Sequence, residues 1–227
     1  MTPAVLRIKR LPHLTLPNPA FNSLLAVILT GPIVFQSVSV TLQSSWLGYD
    51  PVRDAVSMLV FGPFGWLQTT AFWVLGFSLI ALAVVLYFHI KLKFRLGIFA
   101  LVLLGAAFAV VGANPTRLPG VNDTLTTVTH RGASAFIVLA FPAVCFLLIP
   151  MLKAKHHMVL RRLTIAAGVF ALLFLTIGGI FLVNRLSLVG LYERVLLACG
   201  QLWVEIVCAQ LIFDRLWKKP KPQAVSE

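Results

Sequence analysis

Serine, histidine and aspartate side chains occur in the polar parts of this otherwise apolar chain. Ser57 lies three residues after Asp54, and His130 lies in a second polar stretch. These residue types are the components of nucleophilic catalysis, in which a base activates a hydroxyl. Ser57 lacks the glycine-flanked turn of a catalytic serine, however, and no metal-ligand spacing accompanies His130. We therefore keep Ser57, His130 and Asp54 as catalytic candidates only, and expect no metal and no other cofactor.

His130 also has structural interpretations. A histidine near a helix end is expected to bond a neighbouring carboxylate or carbonyl, although it could also accept a proton, bind a metal or pigment magnesium, or clamp an outer helix. Haem would need a second histidine at the same depth on another helix. The nearest alternatives, His89, His156 and His157, lie on the opposite side of the predicted spans. We therefore do not expect a cytochrome.

Polar residues inside the apolar runs form two stripes. Gln201, Glu205 and Cys208 follow Arg194 at helical spacing, and Glu205 is the one acid well inside a predicted span. A carboxyl group within the membrane suggests proton coupling or contact with a polar ligand, but it can also be a protonated group that joins two helices. A comparable stripe in the first apolar run comprises Gln36, Ser39 and Gln43. The full set of ligand-binding or functional candidates is Asp50, Asp54, Ser57, His130, Arg194, Gln201 and Glu205.

Long apolar runs must position these residues. The chain is 59% hydrophobic and 11% charged, whereas soluble domains have about 25% charged residues. The apolar blocks are roughly 20 residues long, which is enough to cross a hydrocarbon layer of about 30 Å. Because the blocks are continuous rather than alternating, they predict helices. We expect an all-α, polytopic membrane protein with six transmembrane helices in one bundle: 22–44, 67–88, 96–113, 133–151, 163–183 and 191–213.

The distribution of charge predicts the orientation of the bundle. We divide the chain into a basic N-terminal segment, a transmembrane domain and a basic tail: 1–21, 22–213 and 214–227. The outer loops are about 45–66, 114–132 and 184–190. Most of the 19 lysines and arginines lie on the other side, which places both termini in the cytoplasm. We expect a multi-pass protein of the plasma or inner membrane with an uncleaved first span.

The net charge of +12 follows from this topology. Basic residues next to the membrane attract anionic lipid headgroups at the cytoplasmic face. Membrane lipids are therefore the expected partners, together with a partner membrane subunit if the protein is an accessory chain. The charge does not predict binding to nucleic acid.

The stretch DPVRDAVSMLVFGPFGW in the first outer loop reads as a short helix. Asp50 is a suitable N-cap and Pro51 a suitable first helical residue. Apolar residues then fall on one face, and Gly62 and Pro63 end the pattern. The stretch predicts an amphipathic helix of about three turns at the outer interface, with Trp66 as an interfacial anchor. In the second long loop, Asn122-Asp123-Thr124 predicts the start of another helix.

Three segments resemble a known family: DPVRDAVSMLVFGPFGWLQTTAFWVLG, NPTRLPGVNDTLTTVTHRGASAFIVLAFP and GLYERVLLACGQLW. In this order they are similar to the prokaryotic integral-membrane family called domain of unknown function 998. The matching positions are Asp50, Pro51, Ser57, Gly62, Pro63, Gly65, Trp66, His130, Gly190 and Arg194. The chain departs from the family at Met58, where members often have an acid, and in the NPTR turn, where they often have an aspartate. The resemblance implies a six-helix fold and no established activity.

Three classes of function stay open from the sequence. We favour a non-enzymatic protein, either an accessory subunit or a binder of a lipid or lipophilic small molecule. The first alternative is a small proton-coupled transporter that uses Glu205. The second is an intramembrane hydrolase or transferase that uses Ser57 and His130. A closed core would favour the first class, an outer polar cavity reaching Glu205 the transporter, and contact between Ser57 and His130 the enzyme.

Overall fold

The computed structural model describes residues 17–89, 95–118, 120–152 and 157–217. The helices in these ranges that are long and apolar enough to span a membrane number six: Asn18–Ser45 (α1), Trp66–His89 (α2), Leu96–Ala113 (α3), Leu125–Leu148 (α4), Met158–Gly178 (α5) and Val189–Trp217 (α6). No strand occurs in the same ranges. The prediction of an all-α, multi-pass membrane protein is confirmed.

Many of the lysines and arginines that predict the orientation lie outside the described residues. They fall in segments 1–16, 90–94, 153–156 and 218–227. These segments include most of the basic N-terminal segment and most of the basic tail, and also His156.

The six helices form a ring in chain order. Each helix packs against the next, and α6 returns to pack against α1. Van der Waals packing holds such helices together, because lipid tails are as apolar as the helix surfaces. Two backbones come close together between α2 and α3, where a methyl group on Gly76 would lie 2.5 Å from the carbonyl oxygen of Gly105. Small residues therefore permit this pair of helices to pack closely.

The first outer loop contains a short helix, but not with the predicted start. Asp50 caps a separate turn, where its Oδ1 accepts a hydrogen bond from the amide of Val52 at 2.9 Å. The helix is a 3₁₀ helix over Val56–Phe61. In an α-helix starting at Asp50, the carbonyl of Asp54 would accept a hydrogen bond from a backbone amide one turn later. It instead accepts hydrogen bonds from the side chains of Tyr49 and Arg194. The predicted three-turn helix is therefore wrong.

Two further boundaries differ from the sequence prediction. α4 begins at Leu125, eight residues before the predicted span, so that the outer loop is shorter than 114–132. Thr124 caps this helix through a bond from the amide of Thr127 to its hydroxyl, as the sequence pattern predicted. After α5, the chain continues as a π-helix over Gly179–Arg185.

Candidate functional site

An apolar cavity occupies the half of the bundle next to the α1–α2 loop, which we call the outer half after the orientation predicted from the sequence. It contains about 900 Å³ of empty space, including its open mouth. Helical faces form its walls, as on α4, where the lining residues repeat at intervals of three and four: Ser134, Ile137, Val138 and Phe141.

The partly exposed residues of the cavity wall lie mainly on α4 and α6. The lining residues of α2 and α3 are all buried: Phe72, Leu75, Leu79, Leu104, Phe108 and Val111. Those of α4 and α6 nearest the outer loops are half-buried: Ser134, Ile137, Val138, Leu196 and Leu197. The partly exposed part of the cavity wall is therefore formed mainly by two helices that are long and apolar enough to span a membrane.

Aromatic residues close the inner end of the cavity. Phe141 of α4 contacts Trp203 of α6 edge to face, with ring centroids 6.0 Å apart. The indole nitrogen of Trp203 donates a hydrogen bond to the hydroxyl of Thr164 on α5 at 3.1 Å. A fixed indole joins three helices at this depth.

Residues 50–61, which we call the lid, cover the outer end. Val56 and Ser57 of the lid line the cavity. The amide of Val56 donates a hydrogen bond to Oε2 of Glu193 at 2.8 Å, and Glu193 also lines the cavity. Glu193 is not among the ligand-binding or functional candidates predicted from the sequence. Its spacing to Gly200 and Gln201 could have indicated it, because all three fall on one face of α6.

Arg194 attaches the lid to the bundle. Its guanidinium donates to the carbonyl of Asp54 at 3.1 Å and to the hydroxyl of Tyr49 at 2.7 Å. It also donates to Oε1 of Gln43 on α1 at 3.3 Å and to the carbonyl of Gly190 at 3.2 Å. A single arginine thus joins the lid, α1 and α6, with its charge satisfied by oxygen acceptors.

Tyr49 extends this connection along the backbone of the lid. Its hydroxyl lies 3.2 Å from the carbonyl oxygen of Asp54 and 3.0 Å from that of Ala55. Burial raises the pKa of Tyr49 above its ordinary value, although the hydrogen bond from Arg194 acts in the opposite direction. The hydroxyl therefore stays protonated and can donate to the lid.

The lid also contacts the start of α6 directly. The amide of Leu191, in the first turn, donates to the carbonyl of Val52 at 2.9 Å, which satisfies one of the unpaired amides of a helix N-terminus. A methyl group on Gly190 would collide with the carbonyl of Asp54 and lie 2.7 Å from that of Pro51. Glycine at this position lets two backbone segments meet.

The arrangement of cavity, lid and Arg194 lies within residues 29–210, which match the family described as "Protein of unknown function (DUF998)". The chain belongs to the DUF998 family. No curated protein and no solved structure matches it. The resemblance found in the sequence is thereby confirmed.

Several positions of the DUF998 signature shape the lid and its attachment, and one of them, Ser57, also lines the cavity. A methyl group on Gly62 would lie 2.7 Å from the ring of Trp46. One on Gly65 would collide with the carbonyl of Val60. Gly190 and Arg194 supply the docking surface described above. The signature of this DUF998 chain thus has a clear structural role.

The candidate acids of the lid hold its backbone. Asp50 is exposed and lies near Arg53, with 3.7 Å between Oδ2 and Nε. Oδ2 of Asp54 accepts a hydrogen bond from the amide of Asp50 at 2.8 Å. Neither acid lines the cavity.

No hydrogen bond joins Ser57 and His130 among the described residues of this DUF998 chain. Nδ1 of His130 is 2.6 Å from the carbonyl oxygen of Asn114, at the end of α3. This agrees with the structural interpretation of a helix-end histidine bonded to a carbonyl. Ser57 lines the cavity, and its hydroxyl makes no hydrogen bond to any residue in the described ranges.

The polar stripes on the first and last helices meet. Nε2 of Gln36 donates to Oε1 of Gln201 at 2.6 Å. Gln201 is only 5% exposed and lines the cavity, while its own Nε2 has no partner among the described residues. Glu205, one turn deeper, is half-buried and does not line the cavity. Of the two candidates on α6, Gln201 is therefore the one at the cavity.

Proposed function

We propose that this protein binds a lipophilic molecule in the outer-half cavity and performs no chemistry on it. The observation that carries this proposal is a cavity with mainly apolar walls, whose partly exposed lining residues lie mainly on two membrane-spanning helices, α4 and α6. An apolar pocket with few polar groups is the usual form of a small-molecule site. The outer half does not have the closed core that we expected for the non-enzymatic class. Because its cavity is mainly apolar and is not lined by Glu205, we favour a binder over an accessory subunit and over the transporter.

Native mass spectrometry tests this proposal. Protein extracted in a mild detergent is expected to retain a lipophilic molecule that dissociates at high collision energy. Ile137→Trp places an indole in the cavity and should remove the bound mass. Leu139→Trp is the matched control, because Leu139 lies on the same helix, is 61% exposed and does not line the cavity.

Two outcomes would contradict the proposal. The first is a wild-type protein that emerges without a bound molecule and takes up none from lipid extracts. The second is equal loss of the bound mass in both tryptophan variants, since that would indicate a lipid on the outer surface. A second polypeptide that copurifies in fixed ratio would favour the accessory-subunit alternative.

We also propose that the lid faces outward and that both termini are cytoplasmic, in a plasma or inner membrane. The support is the excess of lysine and arginine in the termini and inner connections. These residues would attract anionic headgroups at the cytoplasmic face.

Labelling with a membrane-impermeant maleimide tests the orientation. Leu47→Cys, at a position that is 98% exposed, should react from outside the cell, whereas Met158→Cys should react only after the membrane is opened. Cys199→Ser belongs in the background of both, because Cys199 is the half-buried native thiol, while Cys145 and Cys208 are buried. The reverse labelling pattern would overturn the orientation.

A further inference from the structure

Two polar positions lie on the face that α6 presents to the cavity. Glu193 is near the lid, and Gln201 follows it by eight residues. Eight residues of α-helix rise about 12 Å. The wall between them is formed by Leu196, Leu197 and Gly200. The cavity therefore has a polar group at its outer end, an apolar middle and a second polar group deeper in the membrane.

The outer position is an acceptor. Oε2 of Glu193 accepts the amide of Val56, while Oε1 accepts no hydrogen bond from the described residues. No described cation lies within ion-pair distance of this carboxylate, because the guanidinium of Arg194 is bonded to Asp54, Gln43 and Tyr49 instead. The hydroxyl of Ser57 lies at the same end. A carboxylate of this kind is best satisfied by a donor with positive charge.

The deeper position is a donor. The amide oxygen of Gln201 is occupied by Gln36 at 2.6 Å, which leaves the Nε2 hydrogens of Gln201 free among the described residues. A buried amide without a partner is costly, and more so in an apolar environment. A carbonyl or ether oxygen on a ligand would satisfy it.

We propose that the ligand is a single-chain amphiphile with an amine at one end and a hydrogen-bond acceptor further along its chain. The amine binds Glu193 and Ser57 under the lid, the chain lies against the apolar middle of α6, and the acceptor meets Gln201. This inference rests on the proposed binding function and adds the chemical class of the ligand.

Three probes separate the two contacts. They are ω-aminodecanoic acid methyl ester, which has both groups at a comparable separation, decylamine, which lacks the acceptor, and methyl decanoate, which lacks the amine. Binding of each to the full-length protein in non-ionic detergent is measured by calorimetric titration. The amino ester is expected to bind about fivefold more tightly than decylamine, as one added hydrogen bond would give.

Each polar group has a matched variant. Gln201→Leu should weaken binding of the amino ester about fivefold and leave decylamine unchanged. Glu193→Gln, which can still accept the amide of Val56, should weaken both amines about tenfold and leave methyl decanoate unchanged. Gln210→Leu is the control, because it also removes an amide side chain from α6 without changing a residue that lines the cavity. It should leave all three affinities unchanged, and Gln201→Met replaces Gln201→Leu if the latter does not fold.

The outcomes distinguish this inference from the proposed function. Equal affinities for the amino ester and decylamine would overturn the two-point contact, as would a Gln210→Leu variant that behaves like Gln201→Leu. If Ile137→Trp still abolishes binding of the probes, the cavity remains a lipophile site with different ligand chemistry. If no probe binding responds to Ile137→Trp, the proposed function itself is contradicted.

Discussion

The outer and inner halves of this bundle are built in different ways. The outer half surrounds a cavity of about 900 Å³, including its open mouth. It is covered by a lid that is fixed by polar contacts. The inner half contains a much smaller gap of about 230 Å³. Its side chains are closely packed, and residues such as Leu82, Val85 and Cys208 are fully buried.

The difference indicates that the two halves have different structural roles. Helices packed side chain to side chain in the inner half hold the ring together, which allows the outer half to leave space unfilled. The lid is attached chiefly through backbone carbonyls and amides, whose positions depend little on side-chain identity. Sites of binding commonly occur in the less densely packed part of a protein.

The inner half also holds a buried polar pair that the sequence did not reveal. Nδ1 of His157 lies 3.4 Å from Oδ2 of Asp214, and Gln210 donates to the same carboxylate at 2.8 Å. The predicted tail begins at Asp214, and Glu205 is the one acid predicted to lie well inside a span. Because α6 continues to Trp217, Asp214 is in fact part of the helix.

The largest expected effect tests packing in the two halves directly. Leu82→Ala should reduce the free energy of unfolding by about 3 kcal/mol, because a fully buried leucine leaves a new void. Leu197→Ala should cost less than about 1 kcal/mol, since it enlarges a cavity that already exists. Equilibrium unfolding in mixed micelles measures both. Equal losses would contradict the contrast between the two halves.

Removal of the arginine that holds the lid should have a somewhat smaller effect. Arg194→Met leaves the acceptors on Asp54, Tyr49 and Gln43 without their donor, and should cost roughly 2 kcal/mol. Arg131→Met is the control, because Arg131 forms an exposed ion pair and should cost less than about 1 kcal/mol. Similar thermal stability of the two variants would mean that the lid is held by other contacts.

A methyl group at the docking surface should displace the lid at a cost of about 1 kcal/mol, within the range of overpacking effects. Gly190→Ala collides with the carbonyl of Asp54, whereas Gly132→Ala on α4 meets no atom within 4 Å. Hydrogen exchange at the amide of Val56, which is bonded to Glu193, reports the displacement. Faster exchange is expected in Gly190→Ala only, and unchanged protection there would show that the surface can adjust.

The smallest effect is a pH-dependent one at Tyr49. Tyr49→Phe removes the hydroxyl between Arg194 and the lid carbonyls, and should cost about 1 kcal/mol at neutral pH. Because burial raises the pKa of Tyr49, the unfolded chain loses this proton first as the pH rises. The contribution is complete below about pH 10 and is lost as the pH passes the folded-state pKa. The stability difference between wild type and variant should therefore shrink above about pH 10, and a constant difference would contradict this account.

Local sequence patterns predicted much of the fold and several of the contacts. The α3 boundaries agree with the apolar run at 96–113, and the cap at Thr124 was visible from its residue type and position. The polar stripes on α1 and α6 were identified, and Gln36 and Gln201 bond each other. These features depend on residues close together in sequence or on regular helical spacing.

The lid shows why the rest could not be predicted. Asp50 and Pro51 are a valid helix start by local rules. The carbonyls that such a helix would use are taken by Tyr49 and by Arg194, which is 140 residues further along the chain. Competition between a local hydrogen bond and a distant one is decided only when the ring of helices brings the two segments together.

The sequence by itself determined that six apolar helices cross a membrane, because span length and continuous apolarity follow directly from the thickness and chemistry of the lipid. The tertiary structure decided where a cavity remains and which polar groups face it. Glu193 and Gln201 border the cavity whereas Glu205 does not, although all three lie on one helix. That choice depends on how the six helices pack around the cavity, which is decided across the whole ring and has no signal in any single segment.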